Sequence, residues 1–282
     1  MDLPINVDPP TIEEISMAIR QIKSGKAAGP DNILAEALKA DVAATARILY
    51  ILFNKIWDEE QVPKDWKEGL LIKIPKKGDL SNCDNYRGIT LLSIPGKDQI
   101  TTLRIIVEQS IEWNSSLYIN FIDYENAFDS VDRTTLWKLL RHYGVPQKIV
   151  NIIQSSYDGL HCKIVHGGQL TKSFEVKTGV RQGCLLSPFL FLLVIDWIMK
   201  TSKSEGKHGI QWTSGVQLDD LDFVDDLALL SQTQQQMQKK TNSVAAASAA
   251  VGLNKHKGKS KVLRNNTACT DPIKIDREDL RM

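Results

Sequence analysis

Phe223-Val224-Asp225-Asp226 lies between two apolar runs, Val216-Gln217-Leu218 before it and Leu227-Ala228-Leu229-Leu230 after it. Both flanks read as strands, which puts the acids at the tip of a hairpin. Adjacent carboxylates in such a setting are expensive unless a positive charge meets them. A divalent cation meets that need. A further acid, Asp123, ends the alternation Leu117, Ile119, Phe121, read as the apolar face of another strand. With the two strands side by side, Asp123, Asp225 and Asp226 can hold two Mg²⁺ ions for phosphoryl transfer. Of the acids nearby, Asp132 reads as a helix cap. Asp219, Asp220 and Asp222 read as exposed or salt-bridged members of the incoming strand.

Bulk composition narrows the classes. A chain of 282 residues with 42% hydrophobic content supports one or two domains with a sizeable core. Its 35 basic and 34 acidic side chains leave a net charge of +1, so nucleic-acid binding must rest on local patches. Cys83, Cys162, Cys184 and Cys269 are scattered without zinc-like spacing, which fits a reducing compartment. No basic-then-apolar leader opens the sequence. The longest apolar stretch, Leu185 to Met199, is too short to span a bilayer and carries Asp196. It reads as a core helix, and the expectation is an intracellular protein, not secreted and with no membrane partner.

Thr11-Ile12-Glu13-Glu14 reads as a capping box opening a helix with Ile15, Ile19 and Ile22 at helical spacing. Asp31 is placed to cap the next helix. Val42 to Trp57 reads as a longer helix with Ile48, Leu49, Leu52, Phe53 and Ile56 on its apolar side. Asp132 caps a helix that stops at Gly144, with Pro146 beyond. Cys162 to Val165, Gly167-Gly168 and Phe174 to Val176 read as a hairpin. Thr233 to Ala250 reads as a helix closed by Gly252, followed by the basic run Lys255, Lys257, Lys259, Lys261 and Arg264. Helices and antiparallel hairpins interleave without a βαβ rhythm, so the fold class is α+β.

Three segments follow one another along the chain: Phe121-Ile122-Asp123-Tyr124-Glu125-Asn126-Ala127-Phe128-Asp129, Gly179-Val180-Arg181-Gln182-Gly183-Cys184 with Ser187-Pro188, and Phe223-Val224-Asp225-Asp226. They resemble three successive polymerase motifs of reverse transcriptases, closest in wording to the LINE-type (non-LTR) retrotransposon branch. Lys26-Ala27-Ala28-Gly29-Pro30-Asp31 and Tyr86-Arg87-Gly88-Ile89 with Leu91-Leu92-Ser93 resemble that branch too. Linked motifs in order are far more specific than any single one. The resemblance implies a right-hand polymerase with an antiparallel palm sheet, copying an RNA template from a DNA primer with dNTPs and Mg²⁺, for which Mn²⁺ can substitute. It implies N-terminal helices and a fingers-like region over 1–97, a palm-like core over 98–268 and a tail over 269–282. Residues 147–178 read as a fingers hairpin excursion.

By position, the resemblance makes Asp123 and Asp225 the main metal ligands, with Asp226 assisting and Tyr124 lending its backbone carbonyl. Phe128 falls where a ring under the sugar would clash with a ribose 2′-OH; it also suits a core aromatic. Gln182 falls beside the incoming nucleotide, and Gly183 permits close backbone approach. Lys76 or Lys77, with Arg87, falls where fingers contact the triphosphate; a solvated basic face is the alternative. Lys259 resembles a motif lysine near the pyrophosphate; its alternatives are a phosphate-backbone contact or a plain surface lysine.

The pattern breaks where Pro95-Gly96-Lys97 runs straight into Asp98-Gln99-Ile100. Family members carry a block there with a Gly-Phe-Arg-type template-contacting motif. The sequence also reaches Met282 before a primer-grip motif or thumb, and no endonuclease domain precedes it. Misplacing a primer end by an ångström costs about two orders of magnitude in rate. The expectation is therefore a recognisable palm with weak processive activity; the alternative is a catalytically inactive nucleic-acid-binding remnant. A retroelement enzyme meets RNA in the cytoplasm and target DNA in the nucleus, so either compartment is expected.

Overall fold

The computed structural model describes residues 8–25, 33–72, 74–75, 86–87, 95–166, 169–181, 184, 186–202, 209–211, 217–223, 226–256, 259–267, 272–275 and 278–279. The helices along them are α1 (Ile12–Gln21), α2 (Ala35–Ala40), α3 (Val42–Glu59), α4 (Pro95–Glu112), α5 (Ala127–Ser130), α6 (Arg133–His142), α7 (Gln147–Tyr157), α8 (Leu186–Ser202) and α9 (Gln234–Ala250). The strands are β1 (Glu68–Ile72), β2 (Ile74–Pro75), β3 (Tyr86–Arg87), β4 (Leu117–Ile122), β5 (His161–His166), β6 (Gln169–Leu170), β7 (Phe174–Glu175), β8 (Ile210–Gln211), β9 (Gln217–Leu218), β10 (Asp220–Phe223), β11 (Asp226–Ser231), β12 (Lys261–Asn265), β13 (Lys274–Ile275) and β14 (Glu278–Asp279). They form two compact units, Met1–Gly88 with Leu140–Lys177, and Ile89–Leu139 with Thr178–Met282.

In the first unit the capping box forms as read. The Glu14 N–H donates to the Thr11 hydroxyl at 3.2 Å, and the Thr11 N–H donates to the Glu14 carboxylate at 2.8 Å. Ile15 and Ile19 are buried with Ala46 of α3, and Val42, Leu49 and Phe53 pack against them. Ile48, expected on that apolar side, is 66% exposed. The stripe facing α1 passes through Ala46, Leu49 and Phe53, and a one-residue step turns Ile48 by about 100° away from it. Helix α2 starts behind Leu34, which makes no side-chain cap bond, and Asp31 lies outside the described residues. The β5–β6 hairpin forms, and β7 returns to the start of β5. Strand β1 pairs with β5 in parallel, from Glu68 opposite His161 to Ile72 opposite Val165. Expecting only antiparallel hairpins missed this pair, because partners so far apart in the chain leave no local signal.

The second unit is built on an antiparallel sheet ordered β10-β11-β4-β12. Strand β4 is central and does not alternate. Leu117, Tyr118, Ile119, Asn120 and Ile122 are all buried, because both faces of the sheet are covered over this stretch. Leu117 and Ile119 join Ala228, Leu230 and Ile106 of α4 in one cluster. Toward α9, the Asn120 side-chain amide donates to the Thr241 hydroxyl at 2.8 Å, and both residues are fully buried. Phe121 shares the face of Leu117 and Ile119 but is 36% exposed and lies outside their cluster. The strand entering the hairpin is β10 rather than Val216-Gln217-Leu218: β9 pairs with β8 instead. Between β9 and β10, Asp219 is paired with Lys240 at 3.0 Å, which draws the chain onto α9. Helix α8 buries Leu190, Phe191, Val194, Ile195 and Ile198, as expected for a core helix. Helix α4 runs unbroken through Lys97 and Asp98.

The Asn120–Thr241 bond yields a stability prediction. Thr241→Val keeps the shape but leaves a buried amide without its acceptor, at about 1–3 kcal/mol. Chemical denaturation should register that loss, whereas the same substitution at the exposed Thr201 should be near neutral.

Candidate active site

The site is set by strand register. Strands β4 and β11 pair from Ser231 opposite Tyr118 to Leu227 opposite Ile122. One step further puts Asp226 opposite Asp123. Directly opposed residues share a face of the sheet, about 4.5–5.5 Å apart at Cβ. On the other side of β4, the pairing with β12 ends with Lys261 opposite Phe121. Lys259, two residues before β12, lies outside that ladder, and its Nζ lies 3.6 Å from an Asp123 carboxylate oxygen. Asp123 therefore stands between Asp226, at the start of β11, and the Lys259 ammonium. The hairpin is as tight as the sequence suggested: Phe223 pairs with Asp226, leaving Val224 and Asp225 to connect them. Those two residues lie outside the described residues.

The segment that follows α9 fastens Asp123 through its backbone. The His256 N–H donates to the Asp123 carbonyl at 2.7 Å, and the Asp123 N–H donates to the Ser260 hydroxyl at 3.4 Å. The Glu125 N–H donates to the Asn254 carbonyl at 2.8 Å, so Tyr124 and Lys255 form a bridge that uses neither of Tyr124's own backbone groups. The Tyr124 side chain points into the core, where its hydroxyl lies 2.9 Å from that of Ser248 on α9. Burial pushes its pKa up to about 12, with the Ser248 hydrogen bond pulling the other way.

Phe128 is half-buried and stacks on the fully buried Phe191 of α8, centroids 4.7 Å apart and planes 18° from parallel. Gln182 and Gly183 lie outside the described residues, but the segment leading to them is held firmly. The Gly179 N–H donates to the Val131 carbonyl at 2.8 Å and the Val180 N–H to the Phe128 carbonyl at 2.6 Å. The Arg133 guanidinium donates to the carbonyls of Gly179 (2.8 Å) and Thr178 (3.0 Å). Gly179 has φ +76°, and a Cβ there would come within 2.5 Å of the Asp129 backbone, so only glycine fits. Sequence reasoning missed Arg133, His256 and Ser260, which act through backbone groups and leave no motif of their own. Lys76 and Lys77 lie outside the described residues, and Arg87 belongs to β3 in the first unit.

The donors suit a divalent cation. Two hard carboxylates share one face at opposed positions, and an ammonium already stands against one of them. Among the described residues no group of three or more His, Cys, Asp or Glu side chains converges.

Residues 74–274 match the family model described as reverse transcriptase (RNA-dependent DNA polymerase). The chain belongs to the reverse transcriptase family. It is similar to the Pol polyprotein of the type-2 retrotransposable element R2DM of Drosophila melanogaster, at 32% identity over 55% of this chain and 14% of that protein. It is also similar to the Pol polyprotein of the type-1 retrotransposable element R2 of Popillia japonica, at 29% identity over 77% of this chain and 34% of the relative. The chain thus spans about a third or less of these relatives' length. Among solved structures, apo telomerase from Candida tropicalis truncated from its C-terminal domain aligns over 86% of this chain and 47% of that one, with 14% identity and a TM-score of 0.47. The reverse transcriptase reading of the three motifs is borne out, and the relatives named above are retrotransposon proteins. The family copies nucleic-acid templates and uses divalent metal ions. No helix among the described residues is long and apolar enough to cross a membrane.

The raised Tyr124 pKa gives this reverse transcriptase a predicted alkaline signature. The folded state keeps a proton that the unfolded state, with a tyrosine pKa near 10, gives up. The contribution is full below pH 10 and is lost between pH 10 and about 12, to the extent of about 2–3 kcal/mol. Denaturation across that range should show a smaller fall in stability for Tyr124→Phe than for the parent; parallel curves would mean that the phenol titrates normally.

Proposed function

We propose that this domain performs RNA-directed DNA polymerisation, extending a DNA primer on an RNA template with dNTPs. The observation that carries this reading is the register of β4 and β11, whose last pair, Ile122 opposite Leu227, brings Asp123 and Asp226 to the adjoining positions. Asp123, Asp225 and Asp226 would hold Mg²⁺, or Mn²⁺ in its place, with the Tyr124 carbonyl as an additional oxygen ligand. Bound there, the cations would activate the primer hydroxyl and stabilise the leaving phosphate oxygens. Phe128, backed by Phe191, would press on the sugar edge and reject a 2′-OH. Gln182 and Gly183 would flank the incoming nucleotide, reached through the segment that Arg133 and Gly179 fix. Lys76, Lys77 and Arg87 would meet the triphosphate, and Lys259 the leaving pyrophosphate.

Primer extension with Mg²⁺ tests this reading. Asp123→Asn and Asp225→Asn should each lower incorporation at least ~10²-fold, as expected when reacting groups lose their positioning. Undiminished incorporation by Asp123→Asn would sink the assignment. Phe128→Val should narrow the preference for dNTPs over rNTPs by roughly tenfold or more, which competition between labelled nucleotides reads directly.

The uninterrupted helix through Lys97 and Asp98 favours a second reading, because it leaves no room at that point for a template-contacting block. On that reading the domain holds RNA in a salt-dependent manner without extending a primer. Filter binding of RNA with no incorporation by the parent protein would select it.

A further inference from the structure

We propose that Lys259 is a tethered cation that occupies Asp123 when no divalent ion is bound and releases it when one binds. This rests on the reading of Asp123 as a metal ligand. Two opposed carboxylates on one sheet face repel each other. An ammonium stands beside one of them: Lys259, just before the strand β12 that borders β4 on the side away from β11, has its Nζ 3.6 Å from the Asp123 carboxylate. The lysine's position is not left to its own side chain. His256 accepts hydrogen bonds at its carbonyl from the N–H groups of Lys259 (3.1 Å) and Ser260 (3.0 Å). The same His256 donates to the Asp123 carbonyl, and the Ser260 hydroxyl accepts from the Asp123 N–H. Ser260 is fully buried. Thus the segment carrying the lysine is bonded to the backbone of the residue whose carboxylate it neutralises.

The side chain differs from its root. Lys259 is 56% exposed and Asp123 is 33% exposed, so the pair is held weakly and the long lysine stem can swing without moving the backbone. A divalent ion carries twice the charge and several coordination positions, and so replaces the ammonium on Asp123. Lys261 provides an internal comparison. It stands on the same sheet face one row away, opposite Phe121, and is exposed.

Two measurements on the full chain decide the matter. In the first, Mn²⁺ binding is followed by electron paramagnetic resonance without nucleotide. Lys259→Met should bind Mn²⁺ roughly two- to fivefold more tightly than the parent, the weight of an exposed ion pair. Lys259→Arg and Lys261→Met should stay near the parent value. In the second, lysine acetylation is mapped by mass spectrometry in EDTA and in saturating Mn²⁺. Lys259 should become severalfold more reactive with Mn²⁺, while Lys261 does not change. Equal Mn²⁺ affinities for the two methionine variants, or unchanged Lys259 reactivity, would overturn the exchange while leaving the metal site standing. Mn²⁺ binding that is unaltered in Asp123→Asn would overturn the metal reading and the exchange together.

Discussion

Strand register is the constraint on which the site depends. Asp123 gains its charged neighbours from distant parts of the chain: Asp226 from the adjoining strand β11, and Lys259 from the segment just before β12. Because side chains alternate along a strand, slipping β11 by one residue would put Leu227 opposite Asp123 and turn Asp226 toward α9. The same slip would take the buried Leu227 and Leu229 off the face of the sheet that meets α9. The apolar core therefore enforces the alignment of the acids, and no separate device is needed to bring them together.

The buried polar contacts beneath the sheet refine that alignment. An apolar interface alone tolerates small shifts, whereas Asn120 on Thr241 and Tyr124 on Ser248 require particular residues of β4 and α9 to meet. These two bonds hold residues four apart in one chain segment against residues about two turns apart on one helix. They lie on the face opposite the carboxylates, so the acids stand on a locked floor. The backbone bonds from His256 and Ser260 fix the same segment at its end.

Much of this was legible in the sequence, for definite reasons. The capping box at Thr11, the Asp132 cap, the stop at Gly144 and the hairpin at Phe223–Asp226 depend on residues a few positions apart, and local chemistry decides them. The family was legible because three motifs occur in order. What escaped depends on distant partners. The parallel β1–β5 pair joins segments with no shared pattern. The face of α3 that meets α1 could be read one residue off, leaving Ile48 in solvent, because apolar residues run nearly all round that helix. Phe121 looked like a core position because alternation says which face a side chain takes, not where its cover ends. Lys259 was marked by the motif resemblance, but its ion pair with Asp123, far away in the chain, was not legible.

The fastening of the Thr178–Arg181 segment has an evolutionary implication. Gly179 and Val180 are tied to the 128–131 stretch by main-chain donors and acceptors, and Arg133 grips carbonyls rather than side chains. Such an attachment is indifferent to side-chain identity except at Gly179, where a methyl group has no room, at Arg133, which supplies the grip, and at Thr178, whose hydroxyl donates to the Asp129 carbonyl. Residues around those anchors can drift without displacing the segment. Holding a position is thereby separated from the identity of the side chains carried there, and the second stays open to change.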